Sequence, residues 1–202
     1  MKIYYSPTSP FVRKCLVVAH EAGLADSIEL LPSQAHPVNF DHQIAQSNPL
    51  GQVPTLFTNE GEALYDSRVI CEYLDAIGKG GLFPSDAVQR WTALTDQSLA
   101  DGLLDAALLA RYEQVARPEA YYWADWREAQ LGKIRRALAQ FEGNMAQRAN
   151  AVDIGTITLA CAVSYLDLRF TDFGWRDEYS GVADWYASFA QRPSMRATEL
   201  KA

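Results

Sequence analysis

The chain has 202 residues and a mass of 22.5 kDa, enough for one large domain or two small ones. Hydrophobic residues make up 49% and charged residues 21%, a globular composition that excludes a disordered protein. The net charge of -7 argues against a nucleic-acid or anionic-membrane binder, because both need a basic surface. No apolar run reaches the roughly 18 residues of a membrane span, and no signal segment follows Met1. We therefore expect a cytoplasmic protein that binds neither nucleic acid nor membrane.

Metal and disulfide chemistry are not expected. The three cysteines are odd in number and far apart, at Cys15, Cys71 and Cys161. Such spacing fits neither a disulfide framework nor a zinc site, and the three histidines lack metalloprotease-type spacing. We predict that the protein holds no metal ion.

The first half of the chain alternates strand and helix signals. Lys2–Tyr5 is predicted to form a strand. Ser9-Pro10 then predicts the start of a helix, with serine as N-cap and proline at the first helical position. Ile28–Leu31 is predicted as a second strand. Because a helix joins these two strands, they are expected to pair in parallel.

A hairpin and a second helix follow a polar stretch from Pro32 to Ser47. Thr55–Thr58 and Glu62–Tyr65 flank Asn59-Glu60-Gly61, which is a hairpin signal. Asp66-Ser67 then opens a helix whose apolar face runs to Ile77.

The second half of the chain is predicted to be entirely helical. Residues 78–84 are rich in glycine and are predicted to form a linker. We therefore place one domain at residues 1–78 and a helical domain at 86–202. Within the latter, the 3-4-3-4 apolar spacing from Leu131 to Met145 indicates an amphipathic helix. Asn150–Asp153 resembles a capping box that opens an apolar, buried helix over Ile154–Leu168.

The most specific segment is Ser47–Leu56, which contains Val53-Pro54 just before a predicted strand. An X-Pro bond adopts the cis form at a cost of only about 0.5–1 kcal/mol. A cis bond here would expose the Val53 backbone to an extended peptide, which would bind as an added strand. The spacing alone is equally compatible with an ordinary Pro-Gly loop that enters an edge strand.

These motifs together resemble the cytosolic glutathione S-transferase family, and in particular its bacterial YibF type. The matching N-terminal pieces are Ser6–Lys14, Asn48–Leu56 and Asp66–Ile70. The cap at Asn150–Asp153 and Arg192-Pro193-Ser194 match the family's C-terminal domain. The resemblance implies a thioredoxin-like α/β domain followed by an all-α domain. It also implies a cis bond before Pro54, glutathione as co-substrate, and a symmetric homodimer.

The resemblance also implies a glutathione site. Val53 would pair through its backbone with the cysteinyl part, while Asp66 and Ser67 would hold the γ-glutamyl end at a helix start. Gln52 is a candidate for the glycyl end, with His36 and Asn39 as weaker candidates. The alternative is that Asp66 or Ser67 serves only as an N-cap.

Ser9 stands where glutaredoxins and some transferases carry cysteine, directly before Pro-Phe. Serine cannot form a mixed disulfide, so thiol–disulfide exchange is disfavoured. A hydroxyl at a helix N-terminus instead favours a bound thiolate, which makes Ser9 the catalytic candidate. Ser6, Thr8 and Tyr5 are nearby alternatives, and a purely structural N-cap is another.

The second domain is expected to supply the pocket for a small hydrophobic electrophile, with Tyr112 as a binding residue and Arg111, Tyr165 and Trp175 as further candidates. Asp101 and Asp105 share the face of Tyr112, and we expect them to face a cleft between subunits. Two functions follow. The first is a detoxifying glutathione transferase; the alternative is a non-catalytic binding or regulatory module on the same fold, because fold alone does not establish activity.

Overall fold

The computed structural model describes residues 1–148 and 150–201, which form two compact units. The first unit contains residues 1–86 and the C-terminal segment from Pro193, and the second contains residues 87–192. The first unit carries a small mixed sheet with helices, and the second is helical. The predicted fold class is confirmed.

The first unit is built on a four-stranded sheet. Its strands are β1 (Lys2–Tyr5), β2 (Glu29–Pro32), β3 (Leu56–Phe57) and β4 (Ala63–Leu64). They lie in the order β2-β1-β3-β4; β1 and β2 are parallel, as predicted, and β3 is antiparallel to both β1 and β4.

Within residues 1–86, three α-helices accompany the sheet, α1 (Pro10–Glu21), α2 (His42–Ala45) and α3 (Ser67–Ile77). Helices α1 and α3 pack against each other. The core of the unit is fully buried, at Ile3, Val12, Leu56, Ile70 and Leu74 among others. Helix α2 lies inside the polar stretch for which no element was predicted, because four residues are too few for an apolar period to show.

The segment after α3 is attached to the first unit. The buried Asp75 carboxylate accepts hydrogen bonds from the backbone N–H groups of Leu82 at 2.9 Å and Phe83 at 3.3 Å. The Lys79 N–H donates to the Ala22 carbonyl at 3.0 Å. The glycine-rich composition predicted a linker here, but these contacts hold residues 79–83 in place.

Gly78 lies where no side chain fits, and its replacement is expected to destabilise the protein. A Cβ at this position would lie 2.7 Å from Ala22 Cβ and 2.8 Å from the Ala22 carbonyl oxygen. Overpacking of this kind costs about 1–3 kcal/mol, so Gly78→Ala should lower the free energy of unfolding by that amount, measured by urea denaturation.

Gly143 provides the matched control for this substitution. It lies within a helix, and its added Cβ would meet no atom within 4 Å. Gly143→Ala should leave the stability unchanged or raise it by up to about 1 kcal/mol, since alanine favours helix. Equal stability of the two variants would show that Gly78 tolerates a methyl group.

The second unit consists of helices. They are α4 (Ala87–Val115), α5 (Ala124–Arg148), α6 (Ile154–Arg169), α7 (Trp175–Glu178) and α8 (Ser180–Phe189). The predicted apolar positions of α5, from Leu131 to Met145, are buried, and every residue of Ile154–Leu166 in α6 is buried. Helix α6 is therefore the buried centre of this unit, as predicted.

The capping box of α6 begins three residues later than predicted. Asp153 is itself the N-cap and accepts a hydrogen bond from the Thr156 N–H at 2.9 Å, while the Asp153 N–H donates to Thr156 Oγ1 at 3.0 Å. The capping box is thus formed by Asp153 and Thr156, not by Asn150 and Asp153. Threonine fills the reciprocal position because its hydroxyl accepts as a glutamate would.

The C-terminal segment joins the first unit through helix α9 (Pro193–Ala197). Arg13 Nη2 donates to the Met195 carbonyl at 3.0 Å, and Ser194 Oγ donates to Glu21 at 2.5 Å. The Lys201 N–H reaches the Pro7 carbonyl at 3.1 Å. The sequence placed this segment in the helical domain because its partners in the first unit lie far away along the chain.

Candidate functional site

The segments predicted to bind glutathione lie at one end of the sheet. One row of paired residues crosses three strands, through Ile3, Leu56 and Leu64. Because β3 is antiparallel to its two neighbours, the end of β1, the start of β3 and the end of β4 lie side by side. Ser9 follows β1, Val53-Pro54 precedes β3, and Asp66-Ser67 follows β4. The sheet topology therefore brings these three segments together.

Ser9 is the N-cap of α1. Its Oγ accepts a hydrogen bond from the Val12 N–H at 3.3 Å, and Pro10 occupies the first helical position. A hydroxyl that accepts one bond keeps its own hydrogen for donation, so capping and thiolate binding are compatible. The alternative hydroxyls of Ser6 and Thr8 lie 3.5 Å from each other.

Asn48 organises the loop before β3, a role that the sequence did not reveal. It is 2% exposed, and its Nδ2 donates to the Gln52 carbonyl at 3.2 Å and to Thr55 Oγ1 at 3.0 Å. Its Oδ1 accepts from the Leu50 N–H at 3.0 Å, and the Thr55 carbonyl accepts from the Tyr4 N–H of β1 at 3.0 Å. An Asn-Pro pair signals a turn, but the buried amide contacts depend on the folded loop. The Gln52 side chain is exposed.

The Val53 backbone is available for pairing. The Val53–Pro54 peptide bond is cis, the conformation predicted from the sequence, and the Tyr65–Asp66 bond is cis as well. Neither the N–H nor the C=O of Val53 has a backbone partner within residues 1–148 and 150–201. An unpaired donor and acceptor on one residue are what an extended peptide needs in order to bind as an added strand.

The start of α3 combines a negative side chain with a positive helix end. Asp66 is exposed and caps α3 by accepting from the Arg68 N–H at 2.9 Å. Ser67 is 3% exposed, and its carbonyl lies 3.8 Å from Cys15 Sγ of α1. The N–H groups of a helix start favour a carboxylate, and the Asp66 charge favours an ammonium. Capping and ligand binding are therefore compatible here.

The loop between β2 and α2 carries the weaker candidates. His36 Nδ1 accepts from the N–H groups of Val38 at 3.2 Å and Asn39 at 3.1 Å, so this nitrogen stabilises the loop itself. Asp41 accepts from the Gln34 N–H at 2.8 Å, and this bond above all holds the pKa of Asp41 below its ordinary value. A cavity of about 730 Å³ opens beside the loop and is lined by Asn39 but not by His36.

The predicted residues of the second unit lie on α4. Tyr112 is half-buried, and burial raises its pKa although the positive charge of Arg111 opposes the shift. Its hydroxyl therefore stays protonated at neutral pH and can donate a hydrogen bond. Asp105 is exposed, but Asp101 is 1% exposed. The expectation that Asp101 faces a cleft between subunits is therefore wrong, because its carboxylate is buried within its own chain.

Cys15, Cys71 and Cys161 are all buried thiols. Residues 1–148 and 150–201 contain no cluster of three or more His, Cys, Asp or Glu side chains placed to hold a metal ion. None of the helices formed by these residues is both long and apolar enough to cross a bilayer.

Comparison with known proteins identifies the family. The model of the glutathione S-transferase N-terminal domain matches residues 8–77, and the model of the C-terminal domain matches residues 124–188. YibF of Escherichia coli K12, an uncharacterized GST-like protein, is 36% identical over 98% of this chain and 98% of its own. The chain belongs to the glutathione S-transferase family. The predicted family and bacterial type are confirmed.

Two solved structures of a glutathione transferase family member from Pseudomonas fluorescens Pf-5 resemble this chain throughout. One, with bound glutathione, is 44% identical with a TM-score of 0.96, covering 100% of this chain and 99% of its own. The other, with bound S-(propanoic acid)-glutathione, is 43% identical with a TM-score of 0.92, covering 100% of both chains. This glutathione S-transferase family member therefore has similar structural neighbours that hold glutathione or a glutathione conjugate.

Proposed function

We propose that this protein is an active glutathione S-transferase that activates the glutathione thiol for attack on a small hydrophobic electrophile. The observation that carries the proposal is the placement of three features at one end of the sheet. They are the Ser9 hydroxyl, the unpaired Val53 backbone and the start of α3. The neighbours solved with bound glutathione support the same ligand for this chain.

Each part of the tripeptide has a chemically suitable partner. The Val53 N–H and C=O pair with the cysteinyl residue as an added strand does. The N–H groups at the start of α3 and the Ser67 hydroxyl receive the γ-glutamyl carboxylate, and Asp66 balances the ammonium. The exposed Gln52 side chain is the candidate for the glycyl end.

Ser9 activates the sulfur. Its hydroxyl donates a hydrogen bond to the thiolate, and the positive end of α1 stabilises the same charge. The thiol proton passes to solvent, so no protein base is needed. The thiolate then attacks the electrophilic carbon; the carbon–sulfur bond forms, and the leaving group departs with its bonding electron pair.

Retention on immobilised glutathione, together with turnover of 1-chloro-2,4-dinitrobenzene, tests this function. We expect the protein to be retained, to elute with free glutathione, and to release chloride as the conjugate forms. Retention without turnover of this or related electrophiles would favour the non-catalytic binding module. Absence of retention, with a resin lacking glutathione as control, would contradict the transferase and leave only a binding module that does not use glutathione.

Three further expectations from the sequence analysis stay predictions. They are a role in detoxification, a cytoplasmic location and a symmetric homodimer. Two-fold symmetry is the commonest arrangement of homo-oligomers, which supports the expected form of the dimer.

A further inference from the structure

Two arginines and two tyrosines form a cluster in the second unit. Arg111 and Tyr112 lie near the end of α4, and Tyr165 and Arg169 lie near the end of α6, which packs against α4. Tyr165 is 4% exposed, and the other three residues are half-buried. We call these four residues the Arg–Tyr cluster.

The members of the Arg–Tyr cluster act on one another. The positive charges of Arg111 and Arg169 both act on the Tyr165 phenol and favour its ionised form. Burial is the larger influence and raises the pKa of Tyr165 to about 12. The hydroxyl therefore keeps its proton at neutral pH, and that hydrogen can be donated to an acceptor.

The two cations of the cluster have no counter-charge within the described residues. Neither Arg111 nor Arg169 forms an ion pair there, and Arg169 Nε is buried without a hydrogen-bond partner among them. Half-buried charges that lack a partner are costly, and a bound anion would remove that cost.

The carboxylates nearest in sequence to Tyr112 and Arg169 form hydrogen bonds with other groups. Glu113, next to Tyr112, accepts from Arg117 Nε at 2.7 Å and from the Trp123 N–H at 2.8 Å. Asp167, two residues before Arg169, pairs with Arg176 at 2.6 Å and accepts from Trp175 Nε1 at 3.0 Å. These two carboxylates therefore bind groups outside the Arg–Tyr cluster.

We propose that the Arg–Tyr cluster binds a carboxylate carried by the electrophile, so that this transferase selects acidic electrophiles. A guanidinium presents parallel N–H donors that match the two oxygens of a carboxylate, and phenol hydroxyls supply further donors. The inference rests on the proposed function, because the family resemblance assigns the electrophile to the helical domain. It deepens that function by naming the substrate class.

A matched pair of ligands tests the cluster without turnover. The probes are 4-chloro-3-nitrobenzoate and 4-chloro-3-nitrobenzamide, which have nearly the same shape and differ in charge. Binding of each to the full chain is measured by calorimetry in the absence of glutathione. We expect the acid to bind at least about tenfold more tightly than the amide, since hydrogen bonds to charged groups are the stronger ones.

Substitutions then test which residues cause the tighter binding of the acid. Arg111→Gln and Arg169→Gln should each reduce the preference for the acid about tenfold, while Arg111→Lys should retain part of it. Tyr165→Phe, which removes only the hydroxyl, should weaken binding of the acid and leave binding of the amide unchanged. Arg136→Gln is the control, because it removes an exposed positive charge from α5 in the same unit.

The outcomes separate this proposal from the proposed function. Equal binding of acid and amide by the wild-type chain would overturn the Arg–Tyr cluster as a carboxylate site, and so would a preference that survives in both glutamine variants. A preference abolished equally by Arg136→Gln would also overturn it. Retention on immobilised glutathione is measured on the same samples, so loss of glutathione binding is detected independently. Circular dichroism confirms the fold of each variant before its affinity is interpreted.

Discussion

Replacement of Ser9 by glycine is expected to shift the pH profile of kcat upward by roughly one to two units, with glutathione affinity nearly unchanged. A hydrogen bond to a charged group contributes about 1.5–3 kcal/mol, and about 1.4 kcal/mol corresponds to one pKa unit. The bond stabilises only the ionised sulfur, so its loss raises the thiol pKa toward the reference value of about 8.5. At pH 7 the ionised fraction should fall from between roughly a quarter and three quarters toward roughly 3%, and the positive end of α1 should retain part of the stabilisation.

Glycine is the preferred substitution because Ser9 also caps α1. An N-cap glycine costs only a few tenths of a kcal/mol, whereas alanine costs about 1 kcal/mol, so Ser9→Gly isolates the hydroxyl from the cap. Ser9→Thr keeps a hydroxyl, so its pH profile of kcat should stay close to that of the wild-type chain. Ser9→Cys should form a mixed disulfide when glutathione disulfide is added, because the cysteine thiolate attacks that disulfide and releases one glutathione thiolate. An unshifted profile in Ser9→Gly would point instead to Ser6, Thr8 or a backbone N–H.

Replacement of Asp66 by asparagine is expected to remove most of the glutathione affinity while the protein stays folded. Asparagine caps a helix about as well as aspartate, so the bond to the Arg68 N–H can be kept. The charge that balances the γ-glutamyl ammonium is lost. Loss of a charge-assisted hydrogen bond worth about 1.5–3 kcal/mol should raise Kd by roughly 10- to 150-fold, measured by calorimetry.

Asp153→Ala is the matched control for this experiment. Asp153 is an aspartate N-cap like Asp66, with an equal 2.9 Å bond to a backbone N–H, but it caps α6 in the second unit. Its loss should destabilise the chain by about 0.5–2 kcal/mol and leave the Kd for glutathione unchanged. Normal binding by Asp66→Asn would show that Asp66 is an N-cap only.

The sequence by itself determined the elements and the positions where the candidate site begins. Ser9-Pro10 and Asp66-Ser67 are predicted to begin helices, and both predictions are confirmed. A helix cap involves residues only two or three positions apart, so the sequence contains its signal. The parallel pairing of the first two strands also followed, since a helix connects them. Local signals of this kind remain valid in any tertiary structure that is compatible with the helix or strand they predict.

Only the tertiary structure decided which distant groups meet. It buried Asn48 in the loop before β3, and it attached the segment after Asp75 to the first unit. It also left Arg111 and Arg169 without a counter-charge within the described residues, since Glu113 and Asp167 face other partners. The pairing of a carboxylate depends on side-chain direction and on contacts across helices, and a residue's position along the chain does not reveal either. For that reason local motifs predicted the segments of the candidate glutathione site, whereas the lack of an ion pair at Arg111 and Arg169 could be found only in the tertiary structure.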